Sequence, residues 1–194
     1  ENTIRTTGTD ALIKDLTLEE FKALDAGYIK NGEFGFVAPP TLREVFELLK
    51  ETGMKCNIEF KTGVYEYENI ERKVLALIDE FGFRDRIIVS SFNHFTCCRF
   101  KELAPDVKIG FLEESWLIHP GAYTRARGAE CFHPFFNMLN HENVQDLRNN
   151  GIEINAWTIN DECDMRKALR LQLEIGITNW PDKFLEIRKE VCGK

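Results

Sequence analysis

From residue 41 onward, short apolar runs alternate with longer amphipathic ones, and this alternation most limits what the chain can fold into. Strand-like runs fall at 56–60, 86–92, 107–112, 130–134, 152–158 and 175–178. Helix-like stretches fall at roughly 68–82, 94–103, 141–149, 161–171 and 182–191, while 115–128 suits helix or loop. Strands separated by helices pair in parallel through βα crossovers. Each strand ends on a polar or turn residue, and neither GxGxxG nor GxxxxGK[ST] follows any of them. That favours an α/β fold of the (β/α)8 TIM-type over the nucleotide-binding open sheets. A closed barrel of this kind has eight strands. The pattern supplies about six, so the expectation is one barrel domain over 1–194 that lacks its first two strands.

The front of the chain reads differently. Residues 1–40 form a loop-rich segment with one short helix, and 1–16 read as irregular loop. Thr17 followed by Glu20 makes a capping box for that helix, with Leu18, Phe21 and Leu24 on one face and Gly27 at its end. Thr41 caps a second helix carrying Leu42, Val45, Phe46 and Leu49, which Gly53 closes.

Composition excludes several classes. A net charge of −7 with scattered lysines and arginines argues against a nucleic-acid partner. No run of about 18 apolar residues exists to span a membrane. The six cysteines lack zinc-type spacing and most sit inside strand- or helix-like runs, as free thiols do, so a reduced, cytoplasmic setting is expected.

The chemistry concentrates at strand ends. In Asn57-Ile58-Glu59-Phe60-Lys61, residues 59 and 61 share a face. Opposite charges there are costly unless they meet a metal, an anion or each other. Two readings stay open, a structural ion pair or a metal-ligand carboxylate beside a phosphate-binding lysine. The other strand ends are Ser91 and Phe92, Leu112, His133, Trp157 with Asn160, and Thr178 with Asn179. Trp157 is either a packed core residue or a ligand-facing ring, and His133 either a satisfied histidine or a substrate contact. Ser90-Ser91 lacks the frame of a nucleophile elbow. His94, His119 and His141 are expected to face solvent.

One ordered set of segments resembles the glycerophosphodiester phosphodiesterase family. It comprises Lys14-Asp15-Leu16-Thr17-Leu18-Glu19-Glu20, Pro40-Thr41-Leu42, Asn57-Ile58-Glu59-Phe60-Lys61, Ser90-Ser91-Phe92, Ala156-Trp157-Thr158-Ile159-Asn160 and Ile177-Thr178-Asn179-Trp180-Pro181-Asp182. The resemblance implies a (β/α)8 barrel that hydrolyses a small-molecule glycerophosphodiester to glycerol 3-phosphate and an alcohol. It further implies one divalent cation, Mg²⁺ or Ca²⁺, held by three carboxylates, with two histidines as general acid and base. By that resemblance Glu59 matches one metal carboxylate, Lys61 faces the phosphate and Trp157 forms an aromatic wall. Phe135, Phe136 and Met138 are candidates for the wall on the alcohol side. The family's His-Arg-Gly, Glu-x-Asp and His-Asp motifs have no counterpart in the sequence. These residues alone are therefore expected to be inactive. The alternative is a non-catalytic remnant or binding module on the same scaffold.

Overall fold

The computed structural model describes residues 2–193. The chain divides into two compact units, residues up to Lys55 with Val64–Phe83, and Cys56–Gly63 with Arg84 onward.

The first unit holds four helices: α1 (Ile4–Thr7), α2 (Leu18–Lys22), α3 (Leu42–Lys50) and α4 (Ile70–Phe81). Both expected capping boxes form. Thr17 and Thr41 each accept the backbone N–H three residues on, while Glu20 and Glu44 accept the cap N–H in return. Three expectations are corrected here. Residues 1–16 are not all irregular, because the Thr7 hydroxyl donates to the Thr3 carbonyl at 2.9 Å and closes the turn of α1. A 3-10 turn follows at Ile13–Asp15. The helix ahead of Gly27 stops at Lys22 instead, and that glycine has an ordinary φ of −73°. Gly27 is needed for room, since a Cβ there would lie 2.5 Å from the Gly35 carbonyl oxygen. Likewise α3 ends at Lys50, short of Gly53. Phe46, fully buried, packs edge-on against Phe81 and Phe83 with ring centroids 5.4 and 5.3 Å away. Burying such a ring contributes about 1.5–3 kcal/mol. Outside that core Arg43 reaches Glu80 through both guanidinium ends.

The second unit carries the sheet. Its strands are β1 (Cys56–Glu59), β2 (Ile87–Ser91), β3 (Lys108–Glu113), β4 (Cys131–Pro134), β5 (Glu153–Ala156) and β6 (Ile175–Gly176). Its helices are α5 (His94–Leu103), α6 (Pro120–Ala126), α7 (His141–Asn149), α8 (Glu162–Arg170) and α9 (Pro181–Cys192). The doubtful stretch 115–128 is thus a helix only over α6, opened by Pro120 at the first turn, where a missing N–H costs nothing. The last two strands are shorter than expected, because the chain bends into loops after Ala156 and Gly176.

All neighbouring strands are parallel, and their spatial order equals their chain order. A doubly wound sheet must reverse its order at a switch point. This one never does, which is the topology of a (β/α) barrel wall. The sheet also curls. Backbones of β2 and β5, three strand spacings apart, would lie about 14 Å from each other in a flat sheet. Yet the rings of Phe92, just past β2, and Trp157, just past β5, have centroids 5.6 Å apart.

The two faces of the sheet differ in kind. Ile58, Val89, Ile109, Phe111, Phe132 and Ile154 point to the helix side, where Val89, Ile109 and Phe111 are completely buried. The other face is mostly polar, with Asn57, Glu59, Ser90, Gly110, Cys131, His133, Glu153 and Asn155 in register and Ile88 and Leu112 among them. Lys108 pairs with Glu153 across it. No helix among the described residues is long and apolar enough to cross a membrane.

Candidate active site

The C-terminal ends of the strands gather most of the residues singled out from sequence. Alternation along β1 brings Glu59 and Lys61 to one face, and their charges meet, Lys61 Nζ donating to Glu59 Oε1 at 2.6 Å. Both remain reachable by solvent, with side chains 30% and 63% exposed. The pairing satisfies the structural reading and also leaves a carboxylate and an ammonium at the mouth of the sheet.

The loop that carries Lys61 is tied down by its neighbour. Phe60 N–H donates to the Ser90 carbonyl at 2.8 Å, and the Ser91 hydroxyl donates to the Phe60 carbonyl at 2.6 Å. Ser91 Oγ in turn accepts the Asn93 N–H at 3.0 Å, and the Asn93 amide donates to the Thr62 carbonyl at 3.0 Å. Thr62 and Thr96, both buried, share a hydroxyl bond at 2.7 Å. Ser90 is equally occupied, taking the Asn57 amide at 3.0 Å. Both serines are fully buried and hold the structure together.

Just past β2, β4 and β5 the chain places an aromatic group. Trp157, half-buried, meets Phe92 edge-on at 5.6 Å and Phe135 at 5.4 Å. Its indole N–H donates to the His133 carbonyl at 2.8 Å, which fixes the ring's direction. Of the three residues expected on the alcohol side, Phe135 belongs to this group. Phe136 is instead a core residue, 2% exposed, with the Lys167 ammonium over its ring. Met138 is half-buried, and its carbonyl takes the Asn143 amide.

The His133 ring is 1% exposed and lies on the inner face. Its Nε2 is 3.0 Å from the Asn155 amide nitrogen, while His133 Nδ1 and Asn155 Oδ1 have no partner. Burial pushes its pKa down to about 4, against a weaker upward pull from Glu153. A Cβ at Gly110 would lie 2.4 Å from Nε2, so only glycine leaves room for the ring. At the last strand end, Asn160 Oδ1 accepts the Asn179 N–H at 3.0 Å, joining the loops after β5 and β6.

One expectation fails clearly. His94 does not simply face solvent: its ring stacks on Phe111 at 4.2 Å, Nε2 is 3.0 Å from the Leu112 carbonyl and Nδ1 is 2.9 Å from the Tyr123 hydroxyl. Strand alternation could have placed Phe111 on the helix side, but no local signal names Tyr123. His119 and His141 are exposed as expected. Glu59 offers one hard oxygen donor to a cation. Among the described residues no group of three or more His, Cys, Asp or Glu side chains could complete a metal site.

A parallel, sequentially ordered sheet with charged and aromatic residues at its C-terminal edge defines a barrel-type enzyme scaffold. The profile of the glycerophosphoryl diester phosphodiesterase family matches residues 1–183, and the chain belongs to that family. It is 38% identical over 188 residues to a glycerophosphodiester phosphodiesterase of Caldanaerobacter subterraneus subsp. tengcongensis, covering 96% of this chain and 77% of that protein. A glycerophosphodiester phosphodiesterase of Bacillus altitudinis is 34% identical over 190 residues, at 96% and 78% coverage. An Oleispira antarctica phosphodiesterase, solved in complex with the product sn-glycerol-3-phosphate, superposes with a TM-score of 0.82 at 27% identity, covering 96% of this chain and 76% of that one.

Proposed function

We propose that this chain is the larger part of a (β/α)8 hydrolase that cleaves glycerophosphodiesters to glycerol 3-phosphate and an alcohol. The observation that carries the reading is the Glu59–Lys61 pair, exposed at the end of β1 beside the strand that leads to Phe92. Family membership supplies the reaction class, and the product held by the Oleispira relative supports it. Lys61 is suited to take a phosphate oxygen, and Trp157 with Phe92 and Phe135 to wall the organic part of the substrate. The six strands among the described residues are then six of the eight of such a barrel.

A single divalent cation, Mg²⁺ or Ca²⁺, fits the oxygen chemistry of Glu59. One carboxylate is not a ligand set, so Glu59 would hold the ion only together with donors outside the described residues. The ion would neutralise phosphate charge when bound. The family's acid and base histidines have no counterpart among His94, His119, His133 and His141, so the 194 residues alone should turn over no substrate. The same absence favours the second reading, a non-catalytic remnant or binding module. Six free cysteines, with Cys97 and Cys131 buried, support a reducing, cytoplasmic setting.

The test is hydrolysis of glycerophosphocholine by the full-length protein with Mg²⁺ or Ca²⁺. Glu59→Gln keeps the shape and removes the charge. It should lower kcat by about 100-fold or more, the scale on which one electrostatic stabiliser acts. Undiminished activity in that variant overturns the role of Glu59. Turnover by the 194-residue chain alone overturns the need for the missing histidines.

A further inference from the structure

A second concavity lies apart from the strand ends that carry Glu59 and Lys61. It sits between the loop that follows β3 and helix α7, and encloses about 450 Å³. Trp116, Ile118 and His119 line it from the loop, and His141, Gln145 and Asn149 from the helix. None of Glu59, Lys61, Phe92, Phe135 and Trp157 borders it. Its frame is fixed by the chain itself. The Gly121 N–H donates to Asp146 Oδ2 at 2.6 Å, and a Cβ at Gly121 would lie 2.4 Å from the Asp146 carbonyl oxygen, so α6 begins pressed against α7. Asn140 and Asn143 cap α7 reciprocally, at 2.9 and 2.8 Å. Other wall residues keep hydrogen-bonding capacity. Gln145 Nε2 donates to Asn149 Oδ1 at 2.8 Å, which leaves the Gln145 carbonyl to accept and the Asn149 amide to donate. The side chains of His141 and Glu142 have no partner among the described residues.

The lining narrows the occupant. Sites for drug-like molecules are mostly apolar, whereas this one is mostly polar around a single indole ring. Glu142 and Asp146 line it and no lysine or arginine does, so a phosphate or carboxylate would meet only like charge. Asp146 already serves Gly121 and the Asn150 amide, which leaves one carboxylate. One ring and one carboxylate fall short of the aromatic cage that a quaternary ammonium takes. The amides of Asn140, Asn143, Gln145 and Asn149 carry donor and acceptor on the same side chain. Adjacent hydroxyls on a sugar ring need both at once. The ring's C–H face suits the flat side of Trp116, which is 60% exposed. We propose that this concavity binds a neutral hexopyranose, the terminal sugar of a glycan, with one face on Trp116 and its hydroxyls on Glu142, Gln145 and Asn149. The site takes no part in hydrolysis. It holds the protein against a glycosylated polymer or surface, and it stands whether or not the hydrolase reading does.

The experiment is saturation-transfer NMR on the full-length protein with methyl β-glucoside, methyl β-galactoside, methyl α-mannoside and N-acetylglucosamine, and with choline chloride as the cationic comparison. At least one sugar should bind with a Kd of about 1 mM, the scale of one small polar ligand. Trp116→Ala should weaken it by about 10-fold or more. Gln145→Ala, which leaves the ring in place, should weaken it by about 5-fold, the loss of one hydrogen bond. Both positions are solvent-facing, and unchanged urea midpoints would show that the variants fold. Glycerophosphocholine hydrolysis by both variants should equal that of the wild type. Absence of saturation transfer from every sugar at concentrations well above that Kd overturns the proposal. Transfer to choline with none to the sugars overturns it in favour of a cation site. Sugar binding that neither substitution moves places the sugar elsewhere and overturns it too.

Discussion

His133 shows how much a single position inside the sheet constrains. Its ring is buried, its Nδ1 is unpartnered, and it fits only because position 110 is glycine. Placing a charge there removes solvation that Glu153 returns only in part, which holds the folded pKa near 4 against 6.5 for a free histidine. The sign follows from proton counting. Between pH 6.5 and 4 the unfolded chain binds the proton and the folded chain does not. Stability is therefore full above about 6.5 and falls as pH drops toward 4, by up to about 3 kcal/mol. Urea midpoints across that window should fall more steeply for the wild type than for His133→Gln. Parallel pH profiles would show that the ring titrates normally.

At the scale of elements, the loop from Phe60 to Gly63 gets its shape from β2 and the residues after it. Replacing Ser91 with alanine removes the hydroxyl that bonds both the Phe60 carbonyl and the Asn93 N–H. It should cost about 1–3 kcal/mol, the usual penalty for stranding buried polar groups. Because that loop also aims Lys61, KM for a phosphodiester should rise more than kcat falls, and Ser91→Thr should restore both. Denaturant unfolding and steady-state kinetics on the same preparations would separate the two effects. Helices α5 and α7 begin and end where periodicity places them, and the capping boxes at Thr17 and Thr41 form, because those signals are written within a few consecutive residues. The pairing of Glu59 with Lys61 was legible for the same reason. What stayed hidden depends on partners distant in the chain. His94 is defined by Leu112 and Tyr123, 18 and 29 residues away, and Trp157 by Phe92. Helix α1 carries no such local signal, because threonine side chains, weak helix formers, stabilise it through bonds to backbone carbonyls.

At the scale of the whole molecule, β1 and β6 each have one neighbour in the sheet among the described residues. Unpaired strand edges invite other strands. The 194-residue chain should therefore sediment above its 22.5 kDa mass and do so more strongly as concentration rises. A monodisperse monomer across that range would show that the edges are protected. The polar inner face and apolar helix-side face also set what kinds of inherited change this protein can absorb. A substitution at one strand position alters one side chain. Inserting or deleting a single residue within β2, β3 or β4 would exchange the two faces from that point onward, sending buried phenylalanines inward and histidine and glutamate against the helices. In this molecule the spacing of strand residues constrains the fold more tightly than any one identity, and the loops at the mouth are where a change of length leaves the frame beneath undisturbed.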